Sequence, residues 1–284
     1  MQKKNQITSK PLQYNVGLYS EYKKELTSLC NDMLKEITLA IGELYRREKH
    51  TIAMDGITSD FDSKLQQLRQ KYDEIFQKRG EEYAKKMVMR QLRQSKFSLH
   101  SILKEFFPNE TLVLAGSAIS PELKEVMQAS ISENVSLIKS IPEQYLDRIN
   151  GAVMRSIQGG GSIKQLKTEI AKYNGMTRRR ADNIAIDQTR KAYTSINLRN
   201  MEMYGIKKAK WIHSGGGQHP RTYHLTRWDG SSYPPNGLNG YVFDIDNPPI
   251  IQKAQGNQPE IRGYPSQLPN CKCTMAAVIE FDNG

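Results

Sequence analysis

The distribution of proline constrains the fold of this chain more than any other feature of its sequence. Of its 12 prolines, four lie before residue 219 and eight after it, and nine of its 20 glycines follow residue 212. Because proline lacks the backbone N–H that a position inside a helix needs, a long stretch almost free of proline can form continuous helices. We therefore predict an α+β chain, in which a mainly helical amino-terminal region precedes a small, turn-rich carboxyl-terminal module with short β-strands.

The apolar residues of the amino-terminal region recur at helical spacing. In segment 19–45 they lie three or four positions apart, and segment 61–83 keeps this spacing from residue 61 to residue 75, which places each set on one stripe of a long helix. A polar turn around Asp55-Gly56 separates the two segments and predicts an antiparallel helical hairpin. Cys30 lies beside the first stripe and is expected to be a buried, small apolar residue.

Shorter amphipathic segments follow before the composition changes. A glycine run at 159–161 predicts a flexible joint, and Asn174-Gly175 predicts a helix end, because both residues tolerate the left-handed cap conformation. The helices predicted in this part of the chain are 122–139, 142–157, 162–173 and 177–204.

The positive charge is concentrated in one stretch of the chain. The formal net charge is +11, and residues 159–228 hold 14 Lys and Arg against 4 Asp and Glu, whereas the rest holds 27 against 26. Such a surface would attract a phosphate backbone, and no base-reading motif accompanies it. An acidic protein partner would satisfy the same charge, and a solvated helix face with Asp187 paired to Lys191 is the structural alternative. The candidate nucleic-acid-binding residues are Arg178, Arg179, Arg180, Arg190, Lys191, Lys207, Lys208 and Lys210.

The last quarter of the chain contains the residues best able to bind a metal. Cys271 and Cys273 would lie on one face of an extended segment, and His213, His219 and His224 precede them. Thiolate and imidazole are the ligands that zinc prefers, although these cysteines are closer in sequence than the usual zinc-binding pair. The candidate metal site is therefore His224, Cys271 and Cys273, with zinc as the cofactor. The alternative is that both cysteines are small packed residues.

The sequence offers no complete catalytic constellation. His224 and Asp229 could form an acid–base pair, but no nucleophile motif or oxyanion donor accompanies them. We therefore expect no catalytic residues. A metal-dependent hydrolase or toxin-like enzyme, centred on His224, Cys271 and Cys273, is the alternative function.

Cysteine content and hydropathy bear on the compartment in which the protein works. Three cysteines cannot form the disulfide framework of a small secreted domain, which favours a reducing compartment. No apolar run is long enough to span a membrane, and the first 15 residues lack the apolar segment of a secretory signal. We expect a protein without a membrane partner.

Motifs follow one another in a specific order over about residues 150–284, and together they resemble a known family. They are NIAIDQTRKAYTSINLRNMEMYG, Trp211, Arg221-Thr-Tyr-His224, Asp229-Gly230, Phe243-x-x-Asp246-x-Pro248-Pro249, Gly263-x-Pro265 and Asn270-Cys271-Lys272-Cys273. In this order and spacing the region resembles the carboxyl-terminal domain of the phage Mu F-like minor head proteins, the head morphogenesis family of tailed phages. Leu268 stands where many family members have a histidine, whereas His224 is retained. Either Asp229-Gly230 or Asn239-Gly240 matches the family's Asp-Gly.

The resemblance implies two domains and a structural role. Residues 1–150 would be a helical docking region that contacts the portal or inner shell, and residues 151–284 would be the Mu F-like carboxyl-terminal domain. It implies a portal-associated minor capsid protein that acts in head assembly, with a role in DNA packaging or ejection through the basic surface. The implied partners are the portal protein, the major capsid or scaffold protein, and double-stranded DNA bound without sequence specificity. The implied location is the virion, inside the head or at the portal vertex, and the host cytoplasm during assembly.

Overall fold

Helices occupy most of the chain, and short strands follow them. The computed structural model describes residues 5–48, 54–107, 119–158, 163–215, 219–232 and 234–281. The helices are α1 (Val16–Glu48), α2 (Met54–Phe106), α3 (Pro121–Gln158), α4 (Ile163–Met203) and α5 (Thr222–Leu225). The strands are β1 (Asn5–Thr8), β2 (Lys208–Ile212), β3 (Val242–Asp244), β4 (Ile250–Gln252), β5 (Ile261–Arg262) and β6 (Thr274–Phe281). The α+β class predicted from the proline distribution is confirmed, and none of the described helices has the length and apolar character that crossing a membrane requires.

The chain forms two compact units, and neither is one continuous segment. We call them the sheet unit and the helical unit. The sheet unit consists of Met1–Leu18, Met87–Ser130 and Asp187–Gly284, and the helical unit of Tyr19–Lys86 and Ile131–Ile186. The division into residues 1–150 and 151–284, which the family resemblance implies, concerns function and stays a prediction.

The apolar stripes predicted for the first two helices are buried within the helical unit. On α1 the buried side chains include Tyr22, Leu26, Met33 and Ile37, and on α2 they include Phe61, Leu65, Leu68 and Tyr72. Cys30 is buried on α1 as expected, and burial raises the pKa of its thiol to about 12. These residues make α1 and α2 packed elements of the unit's interior.

Polar contacts show that α1 and α2 run antiparallel. Glu36 accepts hydrogen bonds from Lys71, at 2.6 Å, and from the Tyr72 hydroxyl, at 2.7 Å. Glu25 pairs with Lys86. Because the partner's residue number rises on α2 as it falls on α1, the predicted helical hairpin is confirmed. Its turn differs from the prediction, since Asp55-Gly56 lies inside the first turn of α2.

Two predicted helix breaks are absent, so α3 and α4 are each a single helix. Pro142 lies inside α3, where its neighbours Ile141 and Tyr145 are buried. Proline removes one backbone hydrogen bond, and burial of the flanking side chains outweighs that loss. In α4, Asn174 accepts a hydrogen bond from the Tyr145 hydroxyl at 2.6 Å, so its side chain is held within a continuous helix. The glycine run at 159–161 lies outside the described residues.

The strands form one four-stranded antiparallel sheet and one two-stranded ribbon. The order in the larger sheet is β1-β6-β2-β3, and β4 pairs with β5. Strand β1 was not predicted, because its four residues carry no strong strand pattern. Strand β1 places the amino terminus against β6, with Asn5 opposite Phe281. Residues 5–8, which the sequence assigns to the helical docking region, therefore belong to the carboxyl-terminal sheet.

One apolar core fills the sheet unit. It joins Trp211, Phe243 and Cys271, three landmarks of the family resemblance, with Leu12 from the amino terminus and Leu99 from α2. Trp211 is fully buried. The landmarks are therefore residues of a single core.

Replacement of Phe243 tests this core. Phe243 is 3% exposed and packs in the core, so Phe243→Ala should lower the free energy of unfolding by about 3–5 kcal/mol, because it removes buried contacts and leaves a cavity. Chemical denaturation followed by circular dichroism measures the change. The matched control is Phe97→Ala in the same unit, since Phe97 is 70% exposed and its loss should change stability by less than about 0.5 kcal/mol. Equal effects of the two substitutions would contradict the assigned core.

Candidate metal centre

The register of the sheet brings the ends of two strands together. Strands β2 and β6 are antiparallel, and the last residue of β2, Ile212, lies opposite the first residue of β6, Thr274. The chain positions just beyond this pair are His213 and Cys273. Both side chains therefore reach the same end of the sheet, although they are far apart in the sequence.

The helix α5 brings a second histidine to the same place. His224 lies on α5 and is buried, and the segment after it closes over the helix. The Leu238 amide donates to the carbonyl of Tyr223 at 2.9 Å. Gly237 packs so closely on Thr226 that a Cβ at Gly237 would lie 2.2 Å from the Thr226 carbonyl oxygen, so only glycine fits there.

Two thiols and two imidazoles converge at this end of the sheet. The Nδ1 atom of His224 lies 3.5 Å from Cys271 Sγ and 3.8 Å from Cys273 Sγ. These three ligand atoms all lie within 4.8 Å of one another, and all three residues are buried. The Nδ1 atom of His213 lies 3.5 Å from Cys273 Sγ. The predicted set of His224, Cys271 and Cys273 is thus brought together, and His213 contacts it through Cys273.

A backbone carbonyl fixes the orientation of the His224 ring. The Nε2 atom lies 2.8 Å from the carbonyl oxygen of Ile251 on β4. A carbonyl oxygen only accepts, so Nε2 carries the proton and Nδ1 presents its lone pair to the two sulfurs. The ring also packs edge-on against Trp211, with 5.1 Å between the ring centroids. This is the arrangement that orients a histidine as a metal ligand.

The two thiols do not ionise alike. The pKa of Cys271 lies below that of an ordinary thiol, because the Cys273 thiol donates a hydrogen bond to its sulfur. The pKa of Cys273 is raised, because the neighbouring Cys271 and burial both oppose a second negative charge. The indole N–H of Trp211 opposes that rise. A pair of buried sulfurs with this mutual repulsion is chemically suited to share a cation.

Hydrogen bonds from three directions hold the segment that carries the cysteines. The Ser266 hydroxyl donates to the carbonyl of Cys273 at 2.7 Å, and the Tyr14 hydroxyl donates to the same carbonyl at 3.0 Å. The Asn270 amide donates to Asp187 on α4 at 2.9 Å. Burial raises the pKa of Asp187, and the amide and Lys191 oppose the rise. The cysteine segment is therefore fixed to both the amino terminus and α4.

The other candidates of this region lie apart from the cluster. His219 is exposed and does not belong to the group of ligand atoms. Leu268 is buried in the apolar core and offers no ligand atom. His213 was among the upstream histidines in the sequence, but its place beside Cys273 depends on the strand register, which the sequence alone did not supply.

The hypothetical acid–base pair is not formed. The Asp229 carboxylate accepts hydrogen bonds from the backbone amides of Ser231, at 3.0 Å, and Ser232, at 3.1 Å, and these amides lower its pKa. His224 is buried among the sulfurs, Trp211 and Ile251. Among the described residues no hydrogen bond joins Asp229 to His224, so Asp229 stabilises a turn.

The candidate nucleic-acid-binding residues are divided between the two units. Arg178, Arg179 and Arg180 lie in the helical unit, and the other five lie in the sheet unit. Their binding role stays a prediction. Several have partners within the protein: Arg178 bonds to Asn31, Arg180 to Ser140, Lys208 to Glu280, and Arg190 lies over the Tyr14 ring.

Comparison with known proteins agrees with the motif order. Residues 147–276 match the family described as Phage Mu protein F like protein, so the resemblance found in the sequence is confirmed over this region. An uncharacterized protein of Haemophilus influenzae is 30% identical over 161 residues, which are 57% of this chain and 31% of that relative. The chain thus spans about a third of the length of this relative. No solved structure matches the chain.

Removal of the Tyr14 hydroxyl tests the support of the cysteine segment. Tyr14→Phe removes a buried donor to the carbonyl of Cys273 and should lower the free energy of unfolding by about 1–2 kcal/mol. Tyr204→Phe is the matched control, because Tyr204 packs on the same core and its hydroxyl makes no hydrogen bond among the described residues. Denaturation of both variants measures the difference. A Tyr14→Phe protein as stable as the control would show that the hydroxyl does not support this segment.

Proposed function

We propose that this protein is a portal-associated minor capsid protein of a tailed phage that acts in head morphogenesis. The observation that carries the proposal is the family match over residues 147–276, in a region whose landmarks Trp211, Phe243 and Cys271 share one core. The proposed partners are the portal protein and the major capsid or scaffold protein. The proposed location is the virion, inside the head or at the portal vertex, with assembly in the host cytoplasm.

The proposed docking region, residues 1–150, would contact its partner through exposed side chains. The apolar stripes of α1 and α2 are buried within the helical unit, so they are not free to dock. Leu39 on α1 is a large apolar side chain that remains 52% exposed. Single exposed apolar side chains are common on protein surfaces, so Leu39 serves as a probe of the contact and not as proof of it.

A pair of exposed leucines tests which region meets the portal. Leu39→Asp should weaken co-elution with the phage's portal protein by about tenfold, since a charge placed in an apolar contact costs on the order of 1.4 kcal/mol or more. Leu225→Asp in the carboxyl-terminal module is the matched control, because Leu225 is 46% exposed. The measurement is size-exclusion chromatography of the two purified full-length proteins over a range of salt concentrations. Separate elution of the wild-type proteins at every salt concentration would contradict the portal role. A loss of co-elution with Leu225→Asp but not with Leu39→Asp would contradict the assignment of residues 1–150 as the docking region.

Non-specific binding of double-stranded DNA, with a role in packaging or ejection, is the second candidate function. It is favoured by Arg178 and Arg179 on α4, which are both exposed. The Arg178 side chain bonds to the neutral amide of Asn31, and among the described residues neither arginine has an ion-pair partner. Uncompensated charges of this kind bind phosphates and release counterions. Lys208, by contrast, is already neutralised by Glu280.

Charge reversal on α4 tests DNA binding. The double variant Arg178→Glu, Arg179→Glu should weaken binding to every duplex sequence alike, and it should lower the slope of log affinity against log salt by about 2, because two phosphate contacts are lost. The control Lys24→Glu, Lys35→Glu makes the same change of charge at exposed positions on α1. Fluorescence anisotropy with two unrelated duplexes measures both effects. A salt-independent affinity, or equal effects of both double variants, would contradict a binding surface at Arg178 and Arg179.

A further inference from the structure

We propose that the sheet unit binds one zinc ion through His213, His224, Cys271 and Cys273, as a closed structural site with four protein ligands. The proposal adds His213 to the three-residue group and assigns the site a role in holding the module together. It does not depend on the partner that the protein meets.

The separations of the ligand atoms fit tetrahedral zinc. With zinc–sulfur bonds of about 2.3 Å and zinc–nitrogen bonds of about 2.0–2.1 Å, a tetrahedral ion places sulfur and nitrogen ligands about 3.6 Å apart. The structure has 3.5 Å and 3.8 Å from His224 Nδ1 to the two sulfurs, and 3.5 Å from His213 Nδ1 to Cys273 Sγ. Each of these three contacts has the separation of an imidazole nitrogen and a thiolate sulfur bound to one zinc ion.

The polar groups around the ligands also favour a cation held by thiolates. The Ile251 carbonyl fixes the His224 proton on Nε2, which leaves Nδ1 free to coordinate. The indole Nε1 of Trp211 is fully buried and has no hydrogen-bond partner among the described residues. An unpaired buried donor is costly, and an adjacent negatively charged thiolate would satisfy it.

His213 is the residue that makes the site closed. It contacts Cys273, but it is half-buried and does not belong to the group in which all ligand atoms lie within 4.8 Å of one another. The proposal requires its Nδ1 to approach the other three ligand atoms, and His213 directly follows β2 and already contacts Cys273. Four protein ligands leave no position for a reactive water, which separates a structural zinc site from a hydrolytic one.

Such a site would tie the four-residue helix α5 to the ends of the paired strands β2 and β6. His213 follows β2, His224 is on the four-residue helix α5, and the two cysteines precede β6. Ile251 connects β4 to the cluster through His224. Short strands and turns bury little surface, so a metal that cross-links them contributes directly to folding.

The first experiment measures the zinc content and stability of the full-length protein purified without a histidine tag. Elemental analysis should find one zinc per chain. Removal of zinc with a chelator should lower the melting temperature, and addition of zinc should restore it, because a ligand bound only by the folded state stabilises that state. A protein that lacks stoichiometric zinc and whose melting temperature is unchanged in chelator would overturn the proposal.

The second experiment identifies the ligands with variants and cobalt. Co²⁺ in place of zinc should give the visible absorption bands of tetrahedral coordination and the ultraviolet bands of cobalt–thiolate bonds. Cys271→Ser and Cys273→Ser should lose stoichiometric zinc. His213→Ala should lower zinc affinity by about tenfold or more, and His213→Cys, which supplies a new thiolate, should recover it.

Matched controls separate ligand loss from unfolding. Cys30→Ala removes a buried cysteine of the helical unit, and His219→Ala removes an exposed histidine a few residues from His213, so both should keep full zinc content. If His213→Ala binds zinc as tightly as the wild type, the site has three protein ligands and the closed structural site is wrong. If His219→Ala lowers the affinity as much as His213→Ala, the assignment of the fourth ligand is wrong.

Discussion

The pairing of β6 with two different strands is the interaction on which the rest of the sheet unit depends. On one side β6 pairs with β2, which sets His213 next to Cys273, and on the other it pairs with β1, which comes from the start of the chain. Without β1 the edge of β6 would expose unpaired backbone groups. The carboxyl-terminal module therefore needs residues from the amino terminus to complete its sheet.

The candidate metal centre and the apolar core are parts of one packed region. Trp211 is fully buried in the core and contacts His224 through its ring edge, while both cysteines belong to the core as well as to the ligand group. Rigid packing of this kind holds ligands in place before a metal binds, which reduces the entropy lost on binding. It also explains why the family resemblance is carried by Trp, His, Phe and Cys positions that are distant in sequence.

The helical unit constrains the proposed assembly role in a different way. Its apolar stripes are buried among its own helices, so a partner would meet polar faces with scattered apolar side chains such as Leu39. The basic residues also differ in how much of their charge is available. Lys208 is paired with Glu280, whereas Arg178 and Arg179 are exposed without an ion pair among the described residues. Charge counted along the sequence therefore overstates the charge that is free to act on a partner.

The sequence by itself determined the fold class, the two long amphipathic helices and the family resemblance of the carboxyl-terminal region, because these depend on local spacing and on motif order. It also identified three of the converging metal-ligand candidates from their residue types. Only the tertiary structure decided that helices continue through Pro142 and Asn174-Gly175, that residues 5–8 form a strand, and that His213 lies beside Cys273. The physical reason is that buried neighbours at Pro142 and a side-chain hydrogen bond at Asn174 override these local helix breakers, and that strand register joins residues far apart in the chain.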